Sequence, residues 1–146
     1  MATWMIVEDE LDLYEVLMAL LEVRNIEGTA FLDGEEAVAW IDEVDAGLIE
    51  DELPELALLD IRLPGDVDGP MVGERLRQSP VLGEQIAIVL TTAYKLSAEK
   101  EKAFMEQSGA DLLLPKPLPD FNKLRTILNK VVAERQQKLK QTLGED

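Results

Sequence analysis

The sequence contains no cysteine and no histidine, and these two absences exclude whole classes of chemistry. Without cysteine, the chain has neither disulfides nor a thiol nucleophile. Without histidine as well, Ser-His and Cys-His nucleophile pairs and the usual zinc sites are excluded. Any catalysis by this chain must therefore depend on carboxylates, hydroxyls, lysine and bound metal.

Long apolar runs and a basic N-terminal segment are also missing. No run approaches the roughly 20 apolar residues that a membrane helix needs, and the first residues do not resemble a signal peptide. We therefore expect no membrane partner and a cytoplasmic location. The 146 residues, 47% of them hydrophobic, are typical of one globular domain.

Basic residues are absent from one long stretch of a strongly acidic chain. The formal net charge is -16, and residues 25–61 hold twelve acidic residues and no basic one. This charge repels phosphate backbones, so we expect no direct binding of nucleic acid. Residues 121–140, in contrast, carry six Lys or Arg against one acid, Glu134. We interpret this basic segment as a contact for a partner or for a second copy in a homodimer.

The apolar pattern predicts five strands that alternate with five helices. The predicted strands are residues 3–7, 28–32, 56–60, 85–91 and 111–114. The predicted helices are residues 10–24, a helix capped by residues 33–36, residues 70–79, residues 97–107 and a last helix with apolar positions between 124 and 131. This alternation indicates an α/β fold with a doubly wound parallel sheet, because crossovers between parallel strands are almost always right-handed. We expect the flavodoxin-like strand order 2-1-3-4-5.

The last predicted helix suggests where the domain ends. Its apolar stripe fades after Val132 into glutamine, lysine and arginine. We therefore expect residues 1–132 to form one domain and residues 133–146 to extend the last helix into a tail, with no output domain.

Polar side chains follow four of the predicted strands at their carboxyl ends. They are Glu8, Asp9, Asp60, Thr92 and Lys116. Because the carboxyl ends of parallel strands lie on one edge of a sheet, these side chains can converge. The expected strand order places strands 1 and 3 at the topological switch point, so Asp9 should lie beside Asp60. Three crowded carboxylates resist full ionisation unless a cation compensates, which implies a hard divalent ion, most simply Mg2+.

These motifs, in this order, resemble the receiver domain of bacterial two-component response regulators, of the chemotaxis-regulator type. The resemblance covers about residues 3–130. It is carried by Val-Glu-Asp-Glu at residues 7–10, the Leu-Leu-Asp end of strand 3 with Leu-Pro-Gly and Asp-Gly after it, Thr92-Ala93 and Lys116-Pro117. Each motif is weak alone, whereas the ordered set is specific.

The resemblance implies that Asp60 is the phosphoacceptor of a two-component system or phosphorelay. The implied Mg2+ ligands are Glu8, Asp9, Asp60 and the backbone carbonyl of Arg62. The hydroxyl of Thr92 would bind a phosphoryl oxygen after activation, and Lys116 would pair with the phosphate. The chain would then be a signalling domain that assists its own phosphorylation and dephosphorylation, and not an enzyme.

The same resemblance implies two kinds of partner. The phosphodonor would be a histidine on a histidine kinase or a histidine phosphotransfer protein, since this chain has none. The phosphorylated domain would change conformation and signal to a downstream protein through helix 4, strand 5 and helix 5.

Arg62 and Tyr94 lie two positions beyond Asp60 and Thr92, where we expect them to border the route of attacking water and tune the phosphoryl lifetime.

Two other functions are compatible with the same residues. A Mg2+-dependent phosphohydrolase could use Asp60 as a nucleophile on small substrates, although such enzymes commonly place an acid where this chain has Arg62. A degenerate receiver would bind partners without phosphorylation, which the complete set of acids, Thr92 and Lys116 disfavours. Phosphate turnover discriminates the first alternative, and the response to beryllofluoride discriminates the second.

The sequence departs from the family pattern at three places. The loop from Gly65 to Gly69 holds one residue more than its commonest form. Leu113 stands where the family often has a Tyr or Phe that turns inward on activation, so we expect no aromatic switch there. Pro115 removes a backbone donor beside Lys116, which is tolerable mainly on an edge strand.

Overall fold

The computed structural model describes residues 2–144, which form five strands and five helices in strict alternation. The strands are β1 (Thr3–Val7), β2 (Glu27–Phe31), β3 (Leu56–Asp60), β4 (Ala87–Thr92) and β5 (Leu112–Pro115). The helices are α1 (Leu11–Val23), α2 (Gly34–Asp45), α3 (Gly69–Gln78), α4 (Ala98–Ser108) and α5 (Phe121–Thr142). Every predicted element is present, and the observed strands begin and end within two residues of their predicted limits.

The five strands form one parallel sheet in the order β2-β1-β3-β4-β5, which confirms the predicted α/β fold and topology. In the β1–β3 ladder Val7 pairs with Leu59, and in the β3–β4 ladder Asp60 pairs with Thr91. The central strands therefore end at the same level. The residues that follow them share one edge of the sheet, which we call the carboxyl edge.

Both faces of the sheet are covered by helices, which is why its central strands are continuous apolar runs. Trp4 and Ile6 of β1 point to one face, where the core includes residues of α1 and α5. Met5 and Val7 point to the other face, where residues of α2 and α3 complete a second core cluster. All four side chains are buried. The strand ends are thus held rigidly from both sides.

Four helices begin with a side chain that accepts a hydrogen bond from the first turn. These N-caps are Asp33, Asp68, Ser97 and Asp120. The cap at Asp33 was predicted, and its Oδ1 accepts from the Glu36 backbone N–H at 2.8 Å. Because the caps satisfy N–H groups that the helix cannot, they set where each helix begins.

The last helix continues to Thr142, ten residues beyond Val132, and is fastened to the amino ends of β4 and β5. The Arg135 guanidinium donates to the Glu84 carbonyl at 3.0 Å and to Asp111 Oδ1 at 3.3 Å. Asp111 also accepts from Arg77 of α3 at 3.2 Å. Glu145 and Asp146, the end of the predicted tail, lie outside the described residues.

The longest helix illustrates why no membrane span is found among residues 2–144. With 22 residues, α5 is about 33 Å long, which would suffice to cross a bilayer. It carries six Lys or Arg, however, and no helix in this part of the chain is both long and apolar enough to span a membrane.

Candidate functional site

Three carboxylates meet at the carboxyl edge of the sheet. One oxygen from each of Glu8, Asp9 and Asp60 lies within 4.8 Å of the others. Glu8 follows β1 directly and Asp60 ends β3, and these strands are paired neighbours. Glu8 and Asp60 are buried, whereas Asp9 is exposed. The structure therefore brings together the three acids that the sequence analysis selected, with one side open to solvent.

Lys116 reaches this cluster from the end of β5. Its Nζ lies 2.7 Å from Glu8 Oε1 and 3.2 Å from Asp60 Oδ2. Its backbone N–H donates to the Thr92 carbonyl at 2.8 Å, which extends the β4–β5 ladder by one residue. The ammonium thus bridges two carboxylates from different strands, and its side chain is only 11% exposed.

The site carries more negative charge than one ammonium neutralises. Burial, and after it the Glu8 carboxylate, raises the pKa of Asp60 to about 7, although Lys116 acts in the opposite direction. Burial by itself lowers the pKa of Lys116, but hydrogen bonding to Glu8 and the charge of Asp60 outweigh it and raise that pKa above its usual range. The surroundings of the site therefore favour the charged form of Lys116 and disfavour the charged form of Asp60.

The donor set fits a divalent ion. Carboxylate oxygens are the ligands that Mg2+ prefers in proteins, and a site with one open side leaves room for the waters and substrate oxygens that Mg2+ retains. A bound cation would lower the repulsion that keeps Asp60 from ionising. The cluster is therefore a candidate Mg2+ site.

Thr92 lies at the end of β4, but its hydroxyl is engaged elsewhere. Its Oγ1 accepts a hydrogen bond from the Tyr94 backbone N–H at 3.1 Å and donates to the Tyr94 carbonyl at 3.3 Å. Within residues 2–144 it makes no hydrogen bond to Asp60. Thr91 is also buried and pairs with Asp60 in the ladder, so the choice of Thr92 remains a prediction.

The two residues expected beside the water route contact one another. The guanidinium carbon of Arg62 lies 4.1 Å from the centroid of the Tyr94 ring, in a cation–π arrangement. Both residues line a cavity of about 390 Å3 that Thr92 and Phe104 also border. Arg62 thus places its side chain against the β4–α4 loop.

The β3–α3 connection holds the extra residue, and the structure shows how it is accommodated. Gly65 has φ of 82°, a conformation that favours glycine. The backbone N–H of Asp66 donates to Glu35 Oε2 at 3.0 Å. Sequence reasoning missed Glu35, because it lies 31 residues from Asp66 and no local pattern pairs them. The loop therefore docks on the first turn of α2.

The other two departures are visible in β5. Leu113 is half-buried against the core cluster that includes α2 and α3, and it presents no ring to either face. Pro115 occupies the last position of β5, which is an edge strand, as a proline requires.

Comparison with known proteins identifies the family. The family model for the response regulator receiver domain matches residues 4–129. The chain therefore belongs to the receiver domains of two-component systems, which are signalling domains and generally not classical enzymes. Such domains interact with histidine kinases and downstream targets. No curated protein sequence matches the chain.

Solved structures share the fold and part of the sequence. A candidate response regulator from Chloroflexus aurantiacus J-10-fl is 28% identical, with a TM-score of 0.72 over 90% of this chain and 98% of that one. A response regulator receiver domain protein from Methanospirillum hungatei JF-1 is 27% identical, with a TM-score of 0.69 over 94% and 98%. The receiver domain of a sensor histidine kinase from Pseudomonas aeruginosa PAO1 is 26% identical, with a TM-score of 0.71 over 90% and 98%. That domain has a magnesium ion coordinated in its active-site cleft.

Proposed function

We propose that this receiver domain accepts a phosphoryl group on Asp60 from a partner histidine, with Mg2+, and signals by a change of conformation. The observation that carries the proposal is the meeting of three carboxylates and Lys116 at one edge of the sheet. A nucleophile, a set of metal ligands and a fixed cation are the parts that phosphoryl transfer to a carboxylate needs.

The Mg2+ would be held by Glu8, Asp9, Asp60 and the backbone carbonyl of Arg62. When bound, the ion neutralises charge on the transferring phosphoryl group. The donor set of this chain supports the assignment, as does the magnesium ion in the relative from Pseudomonas aeruginosa PAO1. The added positive charge would also favour the ionised form of Asp60, the form that can act as the nucleophile, because burial and Glu8 otherwise raise its pKa to about 7.

The transfer step exchanges one bond to phosphorus for another. A carboxylate oxygen of Asp60 forms the new P–O bond, and the bond from phosphorus to the donor's imidazole nitrogen breaks with its electron pair leaving on the imidazole. Lys116, whose ammonium contacts Glu8 and Asp60, would stabilise the charge of the phosphoryl group. Hydrolysis later ends the phosphorylated state of Asp60, because attack by water on phosphorus releases inorganic phosphate and restores the carboxylate.

The signal would begin at Thr92. A phosphoryl group adds about 1.5 to 2 negative charges and new acceptors, which compete with the Tyr94 carbonyl for the Thr92 hydroxyl proton. A hydroxyl that turns toward Asp60 gives up its two contacts to the Tyr94 backbone. Because Tyr94 lies four residues before α4, this exchange would move the β4–α4 loop and the face formed by α4, β5 and α5.

The test is incubation with acetyl phosphate and Mg2+, followed by mass spectrometry of the intact protein. We expect the addition of one phosphoryl group in wild type and none in Asp60→Asn. Asp66→Asn is the matched control, because it removes an exposed acid from the adjacent loop and should leave phosphorylation unchanged. Intact addition to Asp60→Asn would overturn the assignment of the phosphoacceptor.

Two further outcomes separate the proposal from its alternatives. Release of many phosphates per chain from small phosphomonoesters would favour a phosphohydrolase. Unchanged amide chemical shifts after addition of beryllofluoride and Mg2+ would favour a receiver that binds partners without phosphorylation. We expect slow release of at most one phosphate per phosphorylation cycle, and shifts at the carboxyl edge.

A further inference from the structure

Among residues 2–144, the loop that follows the proposed phosphoacceptor makes one hydrogen bond to a side chain of another element. Residues 61–68 connect β3 to α3, and the Asp66 backbone N–H donates to Glu35 Oε2 at 3.0 Å. Among the hydrogen bonds of residues 2–144, this one alone joins the stretch 62–67 to another element. Glu35 lies in the first turn of α2, an element that contributes no predicted ligand to the site.

Close packing reinforces this contact. Gly65 faces the Glu35 carboxylate so closely that a Cβ at position 65 would clash with it. Gly34 lies against the backbone carbonyl and side chain of Val67, and a Cβ there would clash as well. Two glycines therefore allow the first turn of α2 and the middle of the loop to lie in direct contact. The fit explains how a loop with an extra residue keeps a defined path.

The two ends of the loop are fixed by the sheet and by its own backbone. The Ile61 N–H donates to the Thr91 carbonyl at 2.9 Å, and the Gly69 N–H donates to the Ile61 carbonyl at 2.9 Å. Asp68 caps α3 by accepting from the Met71 N–H at 2.9 Å. Between these anchored ends, the loop is held by the hydrogen bond of Asp66 to Glu35, by the stacking of Arg62 on Tyr94 and by apolar packing of Leu63 and Val67.

We propose that Glu35 is a positioning residue for the candidate Mg2+ site. By holding the Asp66 N–H, its carboxylate helps to fix the loop that carries Arg62, whose backbone carbonyl is the one proposed ligand that is not a carboxylate. The inference rests on the proposed function, because it concerns a ligand of the proposed metal. It adds a residue that lies outside the motifs on which the family resemblance rests and that acts through the backbone of another segment.

The experiment compares four forms of the full chain: wild type, Glu35→Ala, Glu35→Gln and Glu36→Ala. Glutamine at position 35 retains an acceptor oxygen without the charge. Glu36→Ala removes the same charge from the adjacent exposed residue, whose side chain makes no hydrogen bond or ion pair to the loop among residues 2–144. Backbone amide spectra are recorded without Mg2+, and the Kd for Mg2+ is then measured by titration calorimetry.

For Glu35→Ala we expect shifted amide signals at Arg62 and Asp66 without Mg2+, and a Kd for Mg2+ raised about three- to tenfold, the range for loss of one hydrogen bond. Glu35→Gln and Glu36→Ala should stay within about twofold of wild type. With acetyl phosphate, the Mg2+ concentration that gives half the maximal phosphorylation rate should rise in Glu35→Ala, while the maximal rate is unchanged. If the role of Glu35 were purely structural, Glu35→Ala would lower thermal stability without raising the Mg2+ requirement at an unchanged maximal rate.

Two results would overturn the inference while the proposed function stands. One is a Kd for Mg2+ in Glu35→Ala that equals the wild-type value. The other is an equal rise of the Kd in Glu36→Ala, which would show that the effect comes from the net charge of α2 and not from the contact with the loop. Failure of the wild-type chain to bind Mg2+ would instead overturn the proposed function, and the inference with it.

Discussion

Lys116 illustrates how one residue can serve two opposed requirements of the site. Its ammonium lies 2.7 Å from Glu8 Oε1 and 3.2 Å from Asp60 Oδ2, so it reduces the repulsion between two buried acids. The same positive charge also opposes a second cation in the cluster. The two effects can be separated by substitution.

We expect Lys116→Met to bind Mg2+ more tightly than wild type and to be phosphorylated more slowly. Methionine keeps much of the side-chain volume and removes the charge that competes with the metal. The rate with acetyl phosphate at saturating Mg2+ should fall by roughly 100-fold, the typical loss when one charge-stabilising donor is removed. Lys130→Met, which changes an exposed lysine of α5, is the control for net charge. A higher Kd for Mg2+ in Lys116→Met than in wild type would contradict the competition between the Lys116 ammonium and the metal.

Tyr94 is expected to govern the lifetime of the phosphoryl group through Arg62. The guanidinium carbon lies 4.1 Å from the ring centroid, and both side chains line the 390 Å3 cavity beside Thr92, where we expect them to cover the route of attacking water. Tyr94→Ala removes this cover, and we expect loss of the phosphoryl group to be about two- to fivefold faster, in keeping with a cation–π contact of about 0.5 to 1 kcal/mol. The measurement is the decay of labelled phosphoprotein after removal of acetyl phosphate.

The matched control for this prediction is Tyr94→Phe. It retains the ring and the backbone groups that bind the Thr92 hydroxyl, so the lifetime should equal that of wild type. An equally short lifetime in the phenylalanine variant would assign the effect to the phenol hydroxyl instead of the stacked ring.

At the scale of elements, a polar cluster joins α2 and α3 at their C-terminal ends. Asp45 accepts from Ser79 Oγ at 2.5 Å and from the Arg75 guanidinium at 2.7 Å, and Arg75 also binds Asp42 at 2.8 Å. Burial raises the pKa of Asp45, but the hydrogen bonds from Ser79 and Arg75 and the charge of Arg75 outweigh it and lower that pKa below its usual range. The ionised form is thus the one that joins the helices.

The lowered pKa predicts how the contribution of Asp45 varies with pH. Its stabilisation is fully present above the unfolded-state pKa of about 3.9 and is lost as the pH falls through the lower folded-state value. Asp45→Asn should therefore lower the free energy of unfolding by a constant amount between pH 7 and pH 5, and the difference should shrink below about pH 4. Urea unfolding of both proteins at several pH values measures this difference. A difference that does not vary with pH would show that ionisation of Asp45 is irrelevant.

Elements were predictable where a local pattern determines them. The run Leu56–Asp60 has no polar residue before its end because both faces of β3 are buried, and that pattern predicts a central strand from sequence alone. The convergence of Glu8, Asp9 and Asp60 followed from topology, since parallel strands share a carboxyl edge.

Contacts between distant surface residues were not predictable in the same way. The pairing of Glu35 with Asp66 depends on the exact path of a loop, and that of Arg135 with Asp111 depends on how far α5 continues along the sheet. The present partner of the Thr92 hydroxyl, its own loop backbone, also required the structure, because a side-chain rotamer leaves no trace in the sequence pattern.

At the scale of the whole molecule, the extent of the domain depends on the last part of α5, residues 133–142. The family match ends at residue 129, and the apolar stripe of α5 fades after Val132. Yet the Arg135 side chain is only 11% exposed and contacts Glu84 and Asp111 at the opposite end of the sheet from Asp60. Because these contacts lie at the opposite end of the sheet from Asp60, we expect changes in this segment to alter stability without altering phosphorylation.

We predict that a chain ending at Val132 is still phosphorylated on Asp60 at the wild-type rate but unfolds more easily. Loss of the Arg135 contacts should cost about 2 kcal/mol, a value typical of hydrogen bonds to charged groups, and lower the Tm by about 4 to 8 °C. Arg135→Ala in the full chain should reproduce most of this loss, because Asp111 Oδ1 then loses its partner while Oδ2 keeps Arg77 and the Ile88 N–H. Lys138→Ala, an exposed lysine one turn further along α5, should leave the Tm unchanged. A truncated chain with wild-type Tm would place the domain boundary at Val132, as the sequence pattern predicts, whereas lost phosphorylation would mean that the helix end supports the distant site.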